Sequence, residues 1–138
     1  MPLIRYDIGD MAVVGPKKCR CGNMLPTLRK ITGRVMEHFI TKSGAIIPGE
    51  FFVHLIGVVY NRGLVKKFQV IQMDYDKIKI LVVPNGEISG SFKNEINDKI
   101  RVVMGSETKI IWEIVDEIPK TPSGKYLYTI SYVWKSRM

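Results

Sequence analysis

Cysteine is nearly absent from the chain: two in 138 residues, Cys19 and Cys21, one residue apart. So few thiols cannot staple a secreted scaffold of this length, and a reducing, cytoplasmic setting is the expectation. Histidine is equally scarce, with two. His54 flanks an apolar helical stripe, and His38 precedes a strand with no nucleophile nearby for it to activate. Long apolar runs are missing too, none approaching the roughly 18 residues of a membrane span. Residues 1–10 mix Arg5, Asp7 and Asp10 among apolar side chains, which does not read as a signal peptide. Acid is short, 13 Asp+Glu against 21 Lys+Arg, giving a net charge of +8.

What is present is ordinary for a folded domain. Hydrophobic residues make up 46% and charged residues 25%, values that exclude a disordered chain. A chain of this length buries roughly two thirds of its unfolded surface. The basic excess is uneven: residues 1–34 hold seven Lys and Arg against Asp7 and Asp10, so most of the +8 falls in the first quarter. Charge gathered there, without interleaved aromatics, argues against nucleic acid as the partner.

Along the chain, residues 1–34 are punctuated by Gly9, Gly15, Pro16, Gly22, Pro26 and Gly33 and read as an irregular stub. Phe39–Thr41 and Ala45–Ile47 flank Lys42-Ser43-Gly44 as a hairpin. Phe51, Phe52, Leu55, Ile56 and Val59 recur at helical spacing after Pro48, with Gly63 as a stop. Val65–Met73 and Lys77–Val83 are β-rich. Ser91 reads as the N-cap of a helix whose stripe is Phe92, Ile96, Ile100 and Val103, closed by Gly105. Thr108–Val115 and Tyr126–Trp134 are further β runs, joined by the loop Asp116–Lys125. On the last run and its neighbour, Trp112, Tyr126, Tyr128, Tyr132 and Trp134 fall at strand spacing, as sheet packing does. The sum is an α+β fold, a small mixed sheet with two helices, preceded by a β-hairpin and the irregular stub.

Three stretches carry chemistry. In Pro119-Lys120-Thr121-Pro122-Ser123-Gly124-Lys125, two prolines and a glycine fix a tight turn that projects a lysine. A nucleotide P-loop is excluded, because the positions it needs as Gly and Ser/Thr are Pro119 and Tyr126. In Arg5-Tyr6-Asp7-Ile8-Gly9-Asp10, an acid after a glycine can accept two hydroxyl hydrogen bonds, as acids do with ribose. In Gly33-Arg34, the guanidinium fork suits ribose or phosphate oxygens. Each alone is equally an ordinary surface turn, cap or cation. Cys19 and Cys21 are read as free thiols, with half of a zinc site as the alternative, since zinc knuckles usually space their thiols more widely. No metal site is assigned.

In order and spacing, these stretches together with Cys19-Arg20-Cys21-Gly22, Gly44-Ala45-Ile46-Ile47-Pro48 and Phe68-Gln69-Val70 resemble successive motifs of the adenylate-forming acyl-CoA ligase superfamily. The chain is similar to the phenylacetate-CoA ligase branch and its capsular-polysaccharide-biosynthesis-type relatives, and the likeness covers nearly all of it. That length corresponds to the C-terminal quarter or so of such an enzyme. The resemblance implies that residues 1–34 are the tail of a large adenylation domain and that 35–138 form a mobile lid.

It implies ATP/AMP and Mg²⁺ as cofactors, CoA as a possible one, and a small carboxylate and a thiol as substrates. It also assigns roles: Asp10 to the ribose hydroxyls, Tyr6 to the same motif, Arg34 to the nucleotide, and Lys125 to adenylate formation. Met36 stands at the hinge position, where the family commonly has Asp or Lys, and Glu37 keeps a charge beside it. The phosphate loop, the Mg²⁺ carboxylate and the acid-substrate pocket lie upstream in such enzymes and have no counterpart here. The chain is therefore expected to be inactive alone and to need a large adenylation domain, on the same or a separate polypeptide. The rival readings are a subunit of a split ligase and a stand-alone basic α+β module that holds polyanions on residues 15–34.

Overall fold

The structure, a computed structural model, describes residues 10–34, 37–121, 124 and 126–136. They fall into two compact units, residues 1–36 and 37–138, each treated separately below.

In the first unit, β1 (Asp10–Val14) and β2 (Leu28–Arg34) form an antiparallel pair. The stretch that reads as irregular is thus a hairpin with a long connection, its ladder interrupted at Met11/Ala12 and Val13/Val14. These interruptions, and the glycines and prolines between the strands, hide the strand alternation in the sequence. The connection is stitched across its base, where Gly15 N donates to Thr27 O at 2.8 Å and Thr27 Oγ1 to Pro16 O at 2.6 Å.

The second unit opens with the expected hairpin, β3 (His38–Ile40) paired with β4 (Ile46–Pro48). Helix α1 (Glu50–His54) runs directly into a π-helical turn, Leu55–Val59. Strands β5 (Val65–Asp74) and β6 (Lys77–Pro84) form a long antiparallel hairpin. Helix α2 (Gly90–Met104) crosses over to β7 (Lys109–Ile114), which lies parallel to β6, as a crossover through a helix requires. Strand β8 (Thr129–Ser131) adds parallel to β5, and α3 (Tyr132–Lys135) follows. The sheet order is β7-β6-β5-β8, an α+β fold with a mixed sheet, as expected.

Alternation sorts the sheet's two faces. Val70, Ile78, Ile80 and Val82 face the helices and pack with Phe39, Phe52, Ile56, Phe92, Ile96 and Ile100 in the main core. Ile71 and Leu81 face the other way and form a smaller cluster with Ile118. At about 25 cal/mol per Å² of apolar area removed from water, the main core supplies most of the folding drive. Rings lock the layers: Phe39 and Phe52 lie 4.2 Å apart, and Trp112 on β7 donates through Nε1 to Asn97 of α2 at 2.9 Å.

Four local expectations are corrected. The cap of α2 is Ser89, not Ser91, because from there its hydroxyl reaches the N–H of Phe92 (3.3 Å), the first residue of the buried stripe. That stripe ends on buried Met104 rather than on half-buried Val103. Val59 leaves the buried face, 63% exposed, because the wider π turn rotates the stripe away from the core. The run Tyr126–Trp134 pairs only at Thr129–Ser131. There Ser131 Oγ accepts from Trp134 N at 3.0 Å and starts a third helix, so Tyr132 and Trp134 are not strand residues.

Candidate functional site

The turn Pro119–Lys125 is held firmly at both ends. Before it, Ile118 is 2% exposed and packs on Ile71 and Leu81. After it, Tyr126, Leu127 and Tyr128 dock along the free edge of β5 ahead of the β8 ladder. Tyr126 Oη accepts from Phe68 N at 3.1 Å and donates to Phe68 O. Gln69 Nε2 donates to Leu127 O at 2.7 Å, and Val70 N to Tyr128 O at 2.8 Å. Within the turn, Gly124 N donates to Thr121 O at 2.8 Å, with Gly124 at φ +77°, a conformation that favours glycine. Lys125 itself lies outside the described residues, as do Pro122 and Ser123; Tyr126, which follows it, is bonded to β5.

Burial pushes the Tyr126 hydroxyl up to about 12 from an ordinary 10. Its hydrogen bond with the Phe68 backbone opposes the rise and Tyr128 adds to it. The phenol is therefore neutral near pH 7 and free to donate. Tyr126 and Tyr128 also pack edge-on, 4.5 Å apart. The sequence marks both only as strand aromatics. Their clamp on β5 arises from the Phe68-Gln69-Val70 backbone, far away along the chain.

In the first unit, Asp10 and Arg34 stand directly opposite each other across the β1–β2 ladder. Opposed residues of an antiparallel pair have α-carbons about 4.5–5.5 Å apart, so both residues assigned to the nucleotide occupy one end of one hairpin. Asp10 is exposed there. Tyr6, assigned to the same motif, lies outside the described residues.

Met36, which the resemblance assigns to a hinge, also lies outside them, but Glu37 beside it is tied down at three points. Its carbonyl accepts from Gly49 N at 2.9 Å, Oε2 accepts from Ser131 N at 3.0 Å, and Oε1 pairs with Lys135 at 3.2 Å. Behind it, fully buried Gln72 bridges three strands. It donates to Ile40 O (2.7 Å) and accepts from Ile40 N (3.1 Å) and Ser131 Oγ (2.7 Å). Where the second unit begins, the chain is thus anchored to α1, β8 and α3. Glutamine and glutamate in these positions give no local signal of such a role. His38 stacks on Trp134 at 4.8 Å, and His54 is exposed at the end of α1.

The thiols of Cys19 and Cys21 are 2.9 Å apart in a turn closed by Gly22 N donating to Cys19 O. The contact with Cys19, helped by the Asn23 backbone, lowers the Cys21 pKa. Among the described residues no three His, Cys, Asp or Glu side chains converge. Among those residues the Cys19/Cys21 pair thus has no third donor of these types beside it. Among them, too, no helix is long and apolar enough to cross a membrane.

The second unit is thus a mixed-sheet α+β unit in which the residues flanking a lysine-bearing Pro/Gly motif dock on the sheet. Residues 39–132 match the CapK C-terminal domain, and the chain belongs to that family. Protein CapK of Staphylococcus aureus is 26% identical over 141 residues, covering 96% of this chain and 29% of that protein. The chain thus spans less than a third of the length of this curated relative. Among solved structures, an open form of 2-hydroxyisobutyryl-CoA ligase in complex with 2-HIB-AMP and CoA is similar, with TM-score 0.46 and 22% identity over 88% of this chain and 27% of that one. The same ligase in its postadenylation state with R3-HIB-AMP gives TM-score 0.47 and 21% identity over 94% and 29%.

Proposed function

We propose that this chain is the C-terminal, lysine-bearing portion of an AMP-forming acid–thiol ligase of the phenylacetate-CoA ligase type, serving capsular polysaccharide biosynthesis in the cytoplasm. The observation that carries the reading is the Pro119–Lys125 turn, whose order with the Asp10 and Arg34 motifs matches such ligases and which is clamped on both sides to the sheet. A catalytic lysine must be held close to its working position, and buried Ile118 and hydrogen-bonded Tyr126 limit how far the turn can stray.

In the proposed reaction a substrate carboxylate oxygen attacks the α-phosphorus of ATP. The bond to the bridging oxygen breaks and pyrophosphate leaves. Negative charge grows on the non-bridging and leaving oxygens, and the Lys125 ammonium stabilises that charge more than the ground state. Asp10 accepts the ribose hydroxyls, Tyr6 lines the same motif, and Arg34 contacts the nucleotide from the opposite strand. Residues 1–34 then belong to the large adenylation domain, and 35–138 form a lid that turns about Met36. Turning withdraws Lys125, and a thiol, that of CoA or another acceptor, attacks the acyl carbonyl and displaces AMP. No step is assigned to a metal held by this chain. The large domain, on the same or another polypeptide, supplies the rest of the site, so the chain alone is inactive.

The test is Lys125→Ala in the ligase with its large domain present. ATP–pyrophosphate exchange over a panel of carboxylates is expected to fall at least a hundredfold, while transfer from preformed acyl-adenylate to the thiol is largely kept. Equal loss of both half-reactions overturns the role of Lys125.

A further inference from the structure

A groove of about 270 Å³ opens between the π-helical turn and the start of β5, walled by Val53, Val58, Phe68 and Tyr128, with Lys66 and Lys67 among its lining. Three backbone irregularities converge there. The π turn Leu55–Val59 forms one wall, Arg62 sits at φ +39° in the connection, and the β5–β6 register slips between Val65 and Lys67. Such features carry a cost and gather where a protein re-aims side chains for binding. The lysines stand on the irregular stretch itself: both are exposed, and both line the groove between Val65 and Phe68. No acidic residue lines it.

We propose that this groove binds a small anionic amphiphile, a slender hydrocarbon chain ending in a phosphate. The apolar walls take the chain and the Lys66/Lys67 pair takes the dianion. At about 30 Å³ for each small heavy-atom group, the groove holds on the order of nine of them. The lining favours a plain hydrocarbon chain over an amide-bearing one such as the pantetheine arm. Asn61 Oδ1 is already committed to Val65 N at 3.0 Å, and Tyr126 Oη to the Phe68 backbone. A ligand amide laid against the apolar walls would give up its hydration for at best a second bond to these atoms, a costly exchange that a plain hydrocarbon chain avoids. The proposal goes beyond the adenylation reading and does not rest on it.

The test is calorimetric titration of the chain with n-octyl phosphate below its micelle threshold. Saturable one-to-one binding is expected, with octanol and inorganic phosphate each at least tenfold weaker. Charge reversal at the exposed pair, Lys66→Glu with Lys67→Glu, is expected to weaken octyl phosphate by about tenfold or more. Val58→Asp, at a site 68% exposed and tolerant of a polar side chain, is expected to weaken it similarly. Absence of saturable binding, or affinity unchanged by the double reversal, overturns the proposal. So does inorganic phosphate binding as well as octyl phosphate, or 4′-phosphopantetheine binding as well or better. None of these measurements involves ATP or a carboxylate, so their failure leaves the role of Lys125 untouched.

Discussion

The anchor of the lysine turn can be tested at one atom. Tyr126→Phe removes the hydroxyl and keeps the ring, so the edge contact with Tyr128 survives. What is lost is the pair of bonds to the backbone of Phe68, a residue 4% exposed. An orphaned N–H at such a position costs about 1–3 kcal/mol, and the carbonyl is more easily satisfied. The expected destabilisation is therefore about 2 kcal/mol, read as a lower urea midpoint with an unchanged slope. The pH dependence adds an independent check. Folding raises the Tyr126 pKa from 10 to about 12. Its contribution is thus complete below pH 10 and is lost as pH climbs through about 12, because the unfolded chain gives up the proton first. A rise of that size corresponds to at most ~2.7 kcal/mol for a fully buried group. Tyr126 is only partly buried, and solvent screening reduces the figure to about 1 kcal/mol. Wild type minus Tyr126→Phe stability, measured from pH 8 to 12, should therefore shrink by about 1 kcal/mol, the difference cancelling the other tyrosines and the lysines. A destabilisation under about 0.5 kcal/mol refutes the clamp, and a pH-independent difference refutes the burial of the hydroxyl.

Two further perturbations probe the frame behind the site. Gln72→Leu fills nearly the same volume but strands the N–H and C=O of fully buried Ile40 and the Ser131 hydroxyl. It is expected to cost about 3 kcal/mol by urea denaturation; a loss below 1 kcal/mol would mean that the amide is not a structural strut. Gly49→Ala would place its new carbon 2.6 Å from Glu37 O and 2.8 Å from Thr129 Oγ1. Pushing these elements apart should cost about 2 kcal/mol and lower the melting temperature, whereas an unchanged transition would show that the hairpin and β8 do not meet there.

Much of the fold is legible in the residues because the information is local. The Val65–Pro84 hairpin declares itself by β-branched runs on either side of a polar turn. The stripe of Phe92, Ile96 and Ile100 needs only its own spacing to declare α2. The Pro119–Lys125 turn shows in its prolines and glycine, and the lysine it presents is readable from the motif alone. The corrections fall where distant partners choose between local options. Ser89 and Ser91 both offer a hydroxyl, and which one caps α2 depends on where Phe92 must sit to reach the core.

The site divides the same way. Sequence by itself nominates the residues proposed to carry the chemistry, Asp10, Arg34 and Lys125, because residue type and motif order are properties of the chain. Only tertiary structure sets Asp10 opposite Arg34, since register depends on how two separated strands meet. Only it turns Tyr126 and Gln69 into a clamp, because their partners are backbone groups on a different strand or loop. Only it ends the last strand at Ser131, where one hydroxyl both donates to Gln72 and accepts from Trp134 N. Hydrogen-bond partners that lie far apart in the chain leave no periodicity to read, and the fold alone brings them within reach.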